Sequence, residues 1–200
     1  MTSTYLYGCR VGVHFVTGDP GAGKSTWARR FAEENRIAYL STGDAIRKAG
    51  LGHTLSEGDF GPDDVVCEAV ERFVSDHYNC VIDGYPRRPK QVRELCALMG
   101  QEQGRDHRVI YFRVDPVVAV HRYLSLGWMR SVASGAYGPA GERCPADGLY
   151  QMADIAEHYA TRRAKQDRDI RETLQELGRC GVPVHIVDNT NELKSQIQKR

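Results

Sequence analysis

The sequence predicts an α/β fold: a doubly wound, five-stranded parallel sheet with a small helical insert and a lid. Three observations predict it. Short β-branched or aromatic runs alternate five times with longer helical patterns. A glycine-rich turn, Gly18-Asp19-Pro20-Gly21-Ala22-Gly23-Lys24-Ser25, lies directly between the first apolar run and the first helical pattern. The chain has 200 residues, of which 41% are hydrophobic and 26% charged, enough for one proper core.

The elements follow in order. The first strand covers about 11–17, with Val11, Val13, Phe15 and Val16, and the helix after the turn buries Trp27, Ala28 and Phe31. A second strand at 37–40 runs into Ser41-Thr42-Gly43-Asp44, residue types that begin a helix. Asp63-Asp64 open a helix whose stripe is Val66, Ala69, Val70, Phe73 and Val74. The strand at 79–83 ends in Asp83-Gly84-Tyr85-Pro86-Arg87, and the next helix carries Val92, Leu95, Cys96 and Met99. A strand at 108–114 precedes a helix beginning after Asp115-Pro116. The last long helix is expected from about 151 to 178, burying Ile170, Leu174 and Leu177, before a strand at 183–187. Residues 131–148 are rich in Gly, Pro and Ala and lack helical periodicity, and a loop of that length reads as a lid. The expected organisation is one domain with its core at 1–40, 78–126 and 150–200, an insert at 41–77 and a lid at about 127–149.

Bulk properties exclude several classes. A formal net charge of +1 gives no general affinity for nucleic acid or an anionic membrane. No apolar run approaches the roughly 20 residues of a membrane span, and the N-terminus lacks the regions of a signal peptide. The six cysteines (9, 67, 80, 96, 144 and 180) are scattered, with no C-x-x-C pair, as expected of free thiols in a reducing, cytoplasmic compartment. The seven histidines form no metal-binding pattern, and His14 reads as a core or edge residue.

The glycine-rich turn has the form G-x-x-x-x-G-K-[ST] in strand–turn–helix context, which predicts nucleoside triphosphate binding. Its glycines let successive N–H groups point inward at phosphates, and the following helix adds its positive end. Lys24 would reach the β- and γ-phosphates, and the Ser25 hydroxyl would sit on Mg²⁺. Asp83, at a strand end, stands where an acid holds the ligands or waters of that ion. Taken singly, 41–47 also describes a well-capped helix with a surface Arg, and 83–86 a simple Asp-Gly turn.

Taken together, Gly18–Thr26, Ser41-Thr42-Gly43-Asp44-x-x-Arg47, Gly58-x-x-x-Pro62-Asp63, Asp83-Gly84-Tyr85-Pro86-Arg87-x-x-x-Gln91 and Val187-Asp188-Asn189-Thr190 resemble adenylate kinase and its nucleoside monophosphate kinase relatives among the P-loop kinases. The resemblance implies transfer of the γ-phosphoryl of Mg·ATP to a nucleoside monophosphate by a monomer whose partners are small-molecule nucleotides. It implies that Gly18, Asp19, Pro20, Gly21, Ala22, Gly23, Lys24, Ser25 and Thr26 hold ATP, with Arg122 beside the donor base. Lys24 would follow the transferring group. Arg47 and Arg87 would clamp the acceptor phosphate, and Asp83, with Asp44 behind it, would order the Mg²⁺ shell with Ser25. Thr42, Phe60, Gly61, Gly84 and Gln91 would line the acceptor.

In relatives of this kind, Gln at position 91 and Thr at 42 go with AMP, whereas uridylate/cytidylate kinases carry Asn and Ala. Gly61 stands where a β-branched residue packs the base, so extra room for another or modified acceptor is expected. Lid arginines are expected to neutralise the transferring group: Arg122 before the lid, Arg130 at its start, then Arg143 and one of Arg162 or Arg163, with Arg162 assigned to catalysis. A single lid cysteine excludes a zinc-bearing lid. Two residues depart from the pattern. Asp19 puts a negative charge in the P-loop and must either point away from ATP or weaken its binding, and Ser25 replaces the usual Gly. Three alternatives stay open: a kinase for another monophosphate such as dAMP, CMP or UMP, a small-alcohol kinase with Asp44 as base, and a catalytically weak nucleotide-binding regulator.

Overall fold

A computed structural model describes residues 12–51, 61–101, 104–122 and 145–190, with side chains only in part along 145–165. Five strands, β1 (Val13–Gly18), β2 (Ala38–Ser41), β3 (Cys80–Asp83), β4 (His107–Arg113) and β5 (Val184–Asp188), make one sheet in the order β2-β3-β1-β4-β5. All four pairings are parallel. Both neighbours of β1 are reached by crossovers, so its carboxyl end opens at the centre of the sheet, where ligands bind in such folds.

Both faces of the sheet are buried, and strand side chains alternate between two cores. Val13, Phe15, Cys80, Ile82 and Val109 face one core, closed by α3 (Asp63–Asp76), α4 (Pro89–Gln101) and α6 (Pro145–Arg179) through Val66, Val70, Val74, Val92, Leu95 and Leu177. Val16, Val81, Ile110 and Phe112 face the other, closed by α1 (Lys24–Asn35) and α5 (residues 116–122) through Ala28, Phe31, Val118 and Ala119. Trp27 stacks on Phe31 with ring centroids 4.8 Å apart. His14 is buried and meets Phe31 edge-on. The remaining helix, α2 (Thr42–Lys48), follows β2 without a loop.

The strand positions agree with the sequence reading to within two residues, and the last helix does not. It begins at Pro145 rather than near 151, so residues 145–148, expected in the lid, form its first turn. Proline suits that position, because its fixed φ is helical and the first N–H of a helix has no partner to lose. Cys67, Cys80, Cys96 and Cys180 are free thiols, while Cys9 and Cys144 lie outside the described residues.

Candidate active site

The P-loop grows directly from the β1–β4 ladder. Gly18 has φ +128°, and a Cβ there would overlap the carbonyl oxygen of Phe112, so only glycine lets the two backbones close. Asp19 N donates to that same carbonyl at 2.9 Å, and Ala22 N turns back to Asp19 O at 3.2 Å. Lys24 Nζ donates to Asp19 O at 2.6 Å, which lays its ammonium across the loop. Gly23, in the left-handed region, starts α1, and Ser25 and Thr26 stand exposed on its first turn. Pro20 and Ala22 are buried beneath the loop.

Asp19 is only 4% exposed, and its carboxylate turns toward β4. Tyr111 donates its phenol to Oδ1 at 2.5 Å, and Val114 N donates to Oδ2 at 3.0 Å. Burial, followed by the bond to Asp19, pushes the Tyr111 phenol up, so it stays protonated as the donor. The carboxylate thus points toward β4, while its buried charge stays within the loop.

The loop is also braced from the far end of the chain. Asn189 Nδ2 donates to Ala22 O at 2.8 Å, while Asn189 N donates to Arg113 O at 2.9 Å. Arg122 reaches back from α5, donating to Gly21 O at 3.3 Å and Asn189 O at 3.2 Å.

The second half of the site lies at the ends of β2 and β3, where Ser41 pairs with Asp83 and Asp83 with Val16 of β1. Asp83 is 4% exposed. Tyr39 donates its phenol to Asp83 Oδ2 at 3.0 Å, and Oδ1 is buried with no hydrogen-bond partner among the described residues. Thr42 Oγ1 lies 3.1 Å from both the Asp83 and Gly84 carbonyls. Gly84 has φ +88°, and a Cβ would overlap the Arg87 guanidinium and come within 2.7 Å of Thr42 Oγ1. The bare glycine therefore gives Arg87 its resting place.

Gln91 supports that turn from beneath. It is 1% exposed; its Oε1 accepts from Arg87 N at 2.7 Å, and its Nε2 donates to Asp63 Oδ1 at 2.8 Å. A carboxamide offers four hydrogen-bonding positions, so two are taken. Here Gln91 acts first as a support for Arg87.

Arg47 donates to Asp44 within α2, and Arg29 Nη2 lies 3.8 Å from the other Asp44 oxygen. The Arg47 guanidinium holds the Asp44 carboxyl below the usual carboxylate range. Arg29 also donates to the Tyr39 hydroxyl at 3.3 Å, so one polar chain runs from Asp83 through Tyr39, Arg29 and Asp44 to Arg47.

The room expected at Gly61 is absent. A Cβ there would sit 2.6 Å from Ile46 Cδ1, because Ile46 of α2 already fills the space. Glycine at 61 and isoleucine at 46 are complementary in shape, a relation visible only across the fold. Phe60, Arg130 and Arg143 lie outside the described residues, as does the side chain of Arg162 on α6. Its neighbour Arg163 faces the P-loop, with Nη1 3.9 Å from Asp19 Oδ2 and Nε 2.5 Å from Asp167 Oδ1.

Among the described residues no group of three or more His, Cys, Asp or Glu could hold a metal. The buried, unpartnered Asp83 Oδ1 and the exposed Ser25 hydroxyl fit instead an ion such as Mg²⁺, which keeps most of its shell for phosphate oxygens and water. Asp44 carries Arg47 on one oxygen and has Arg29 3.8 Å from the other.

Sequence reasoning did not find Tyr39, Tyr111, Asn189 or Asp63 as site partners. Each is a single polar residue whose partner is 28 to 167 positions away. Spacing along the chain holds no signal for such pairs.

A family model for adenylate kinase matches residues 16–199. The adenylate kinase of Thermococcus gammatolerans is 42% identical over 90 residues, 40% of each chain. That of Thermosipho africanus is 38% identical over 119 residues, 52% of this chain and 55% of its own. The Streptococcus pyogenes serotype M1 protein is 36% identical over 120 residues, 54% of this chain and 57% of its own. The chain thus spans about half the length of the curated relatives it matches. A match running from the first strand past the last, over a parallel sheet with a P-loop at its centre, leads to one conclusion: the chain belongs to the adenylate kinase family.

Proposed function

We propose that the protein transfers the γ-phosphoryl group of ATP to the phosphate of a nucleoside monophosphate, with AMP as the preferred acceptor. The observation that carries this reading is the buried Asp83, with one oxygen held by Tyr39 and the other open, next in sequence to the Gly84 that cradles Arg87. On this reading one turn supplies an acid for a metal-bound phosphate and a cation for an acceptor phosphate.

The P-loop N–H groups and Lys24 bind the triphosphate, and Lys24 exchanges its contact with Asp19 O for the phosphates. Arg87 and Arg47 hold the acceptor phosphate in line, Arg47 by leaving Asp44. An acceptor phosphate oxygen bonds to the γ-phosphorus as the bond to the β–γ bridging oxygen breaks. The acceptor is already an anion, so no general base is needed. Ser25 and Asp83 would hold Mg²⁺, which when bound would neutralise phosphate charge. Arg122, Arg130 and Arg162 or Arg163 supply positive charge around the donor, and the lid excludes water.

Thr42 and Gln91 support AMP, and Ile46 in the space at Gly61 removes the argument for a bulkier acceptor. A small-alcohol kinase needs a carboxylate base, and Asp44 is acidified and engaged by two arginines. We further propose that the protein acts as a monomer on small-molecule nucleotides in the cytoplasm. No helix among the described residues is long and apolar enough to cross a membrane.

The test is ADP release with a panel of monophosphates. AMP turned over at least about 10-fold faster than UMP or CMP is expected, the scale of one or two well-placed hydrogen bonds. ADP formation with UMP and not with AMP would overturn the acceptor assignment.

A further inference from the structure

Asp19 is a buried carboxylate inside an anion-binding loop, where its charge opposes the ligand. Its two oxygens already accept from Tyr111 and from Val114 N, so neutral residues could have supplied the same brace. What a neutral residue could not supply is the attraction for Arg163. Asp19 Oδ2 and Arg163 Nη1, 3.9 Å apart, form an ion pair between the P-loop and α6. The Arg163 side chain is 22% exposed and the Asp19 side chain 5%, so the pair is poorly screened by water. Asp167, one turn along α6, takes the Nε edge of the same guanidinium at 2.5 Å and leaves the Nη edge toward the loop.

We infer that Asp19 is a positioning residue that acts through Arg163, holding an α6 guanidinium over the P-loop where the triphosphate charge develops. This rests on the kinase reading above. The charge of Asp19 weakens ground-state binding of ATP by repulsion, and the placed arginine returns that loss when charge moves in transfer. A brace alone would not divide binding and turnover in this way.

The test is Asp19→Asn in the full chain. The amide can still accept from Val114 N and donate to the Tyr111 hydroxyl, so both bonds survive and only the charge goes. Expected are a kcat lower by about 10-fold, the scale of a misplaced catalytic group, and a Kd for ATP, measured by calorimetry, that is unchanged or tighter. In an Arg163→Ala background the same substitution is expected to change kcat less than 2-fold, as for residues that act as one unit. Tyr111→Phe, which loosens the brace and keeps the charge, is expected to leave the kcat effect small. If Asn does not fold at this site, Arg163→Ala alone supplies the test: it keeps both bonds of Asp19 and is expected to lower kcat by about 10-fold, and an unchanged kcat would overturn the inference.

An unchanged kcat in Asp19→Asn would overturn the inference. So would an equal fall of kcat in the Arg163→Ala background, a loss of ATP affinity parallel to kcat, or a Tyr111→Phe variant that reproduces the loss. Absence of turnover in the unmodified protein on every monophosphate would defeat the kinase reading and this inference with it, whereas the outcomes above defeat the inference alone.

Discussion

Tyr39 and Asp83, on neighbouring strands, are joined by a 3.0 Å hydrogen bond that fixes one carboxylate oxygen and leaves the other open. Burial pushes the Tyr39 phenol up, so it remains a donor across the working pH range. Removing the hydroxyl in Tyr39→Phe frees the carboxylate to rotate. The Mg²⁺ concentration for half-maximal turnover at fixed ATP should rise about 10-fold, the lower end for a residue that orients a metal ligand. Mn²⁺ binding followed by electron paramagnetic resonance should weaken in parallel. An unmoved metal dependence would show that Tyr39 does not orient Asp83.

Gln91→Leu should destabilise the fold as well as the site. The change orphans Arg87 N and removes the amide donor to Asp63, in a side chain 1% exposed. A loss of about 2 kcal/mol is expected from unmade buried hydrogen bonds, read from the urea midpoint. A midpoint within error of the parent would mean that water replaces both bonds.

Gly61→Val should cost about 1–3 kcal/mol by overpacking against Ile46. In an Ile46→Ala background the cost should fall by at least half, because the space is then vacant. Additive losses in thermal or urea unfolding would rule out the shape complementarity of the pair.

Acid should loosen the turn after β5. Asp188 accepts from Thr190 and pairs with Arg113, which holds its carboxyl at about 2, below its usual value. A folded-state value below the unfolded one gives stability that is present above about pH 4 and lost as pH falls toward 2. The side chain is 42% exposed, so the effect is small. Asp188→Asn should flatten the stability curve between pH 4 and 2, and an unchanged slope there would remove Asp188 from the account.

Much of the fold was legible because periodicity reports burial directly. Val13, Phe15 and Val16 in β1 and Val66, Val70 and Val74 in α3 declare their faces by spacing alone. The P-loop and the Asp83-Gly84 turn were legible because bare glycine is a backbone requirement written in sequence. The start of α6 was obscured because Pro145 reads equally as loop punctuation and as a first helical residue. Ile46 against Gly61 and Asp19 against Tyr111 could not be read, since each is a match of shape or charge between distant elements. Gln91 reads in the sequence as lining the acceptor, and its bonds to Arg87 and Asp63 depend on burial that a sequence does not display.

The bond from Asn189 to Ala22 spans 167 positions. During synthesis the P-loop leaves the ribosome before β5, and its fastening by Asn189 arrives only after β5 has been made and has joined β4. A nascent chain stopped before Val184 should therefore carry the whole P-loop motif and still hold ATP poorly, a difference that nucleotide crosslinking to arrested chains would reveal. The loop most legible in the sequence thus takes part of its bracing from the turn after the last of the five strands.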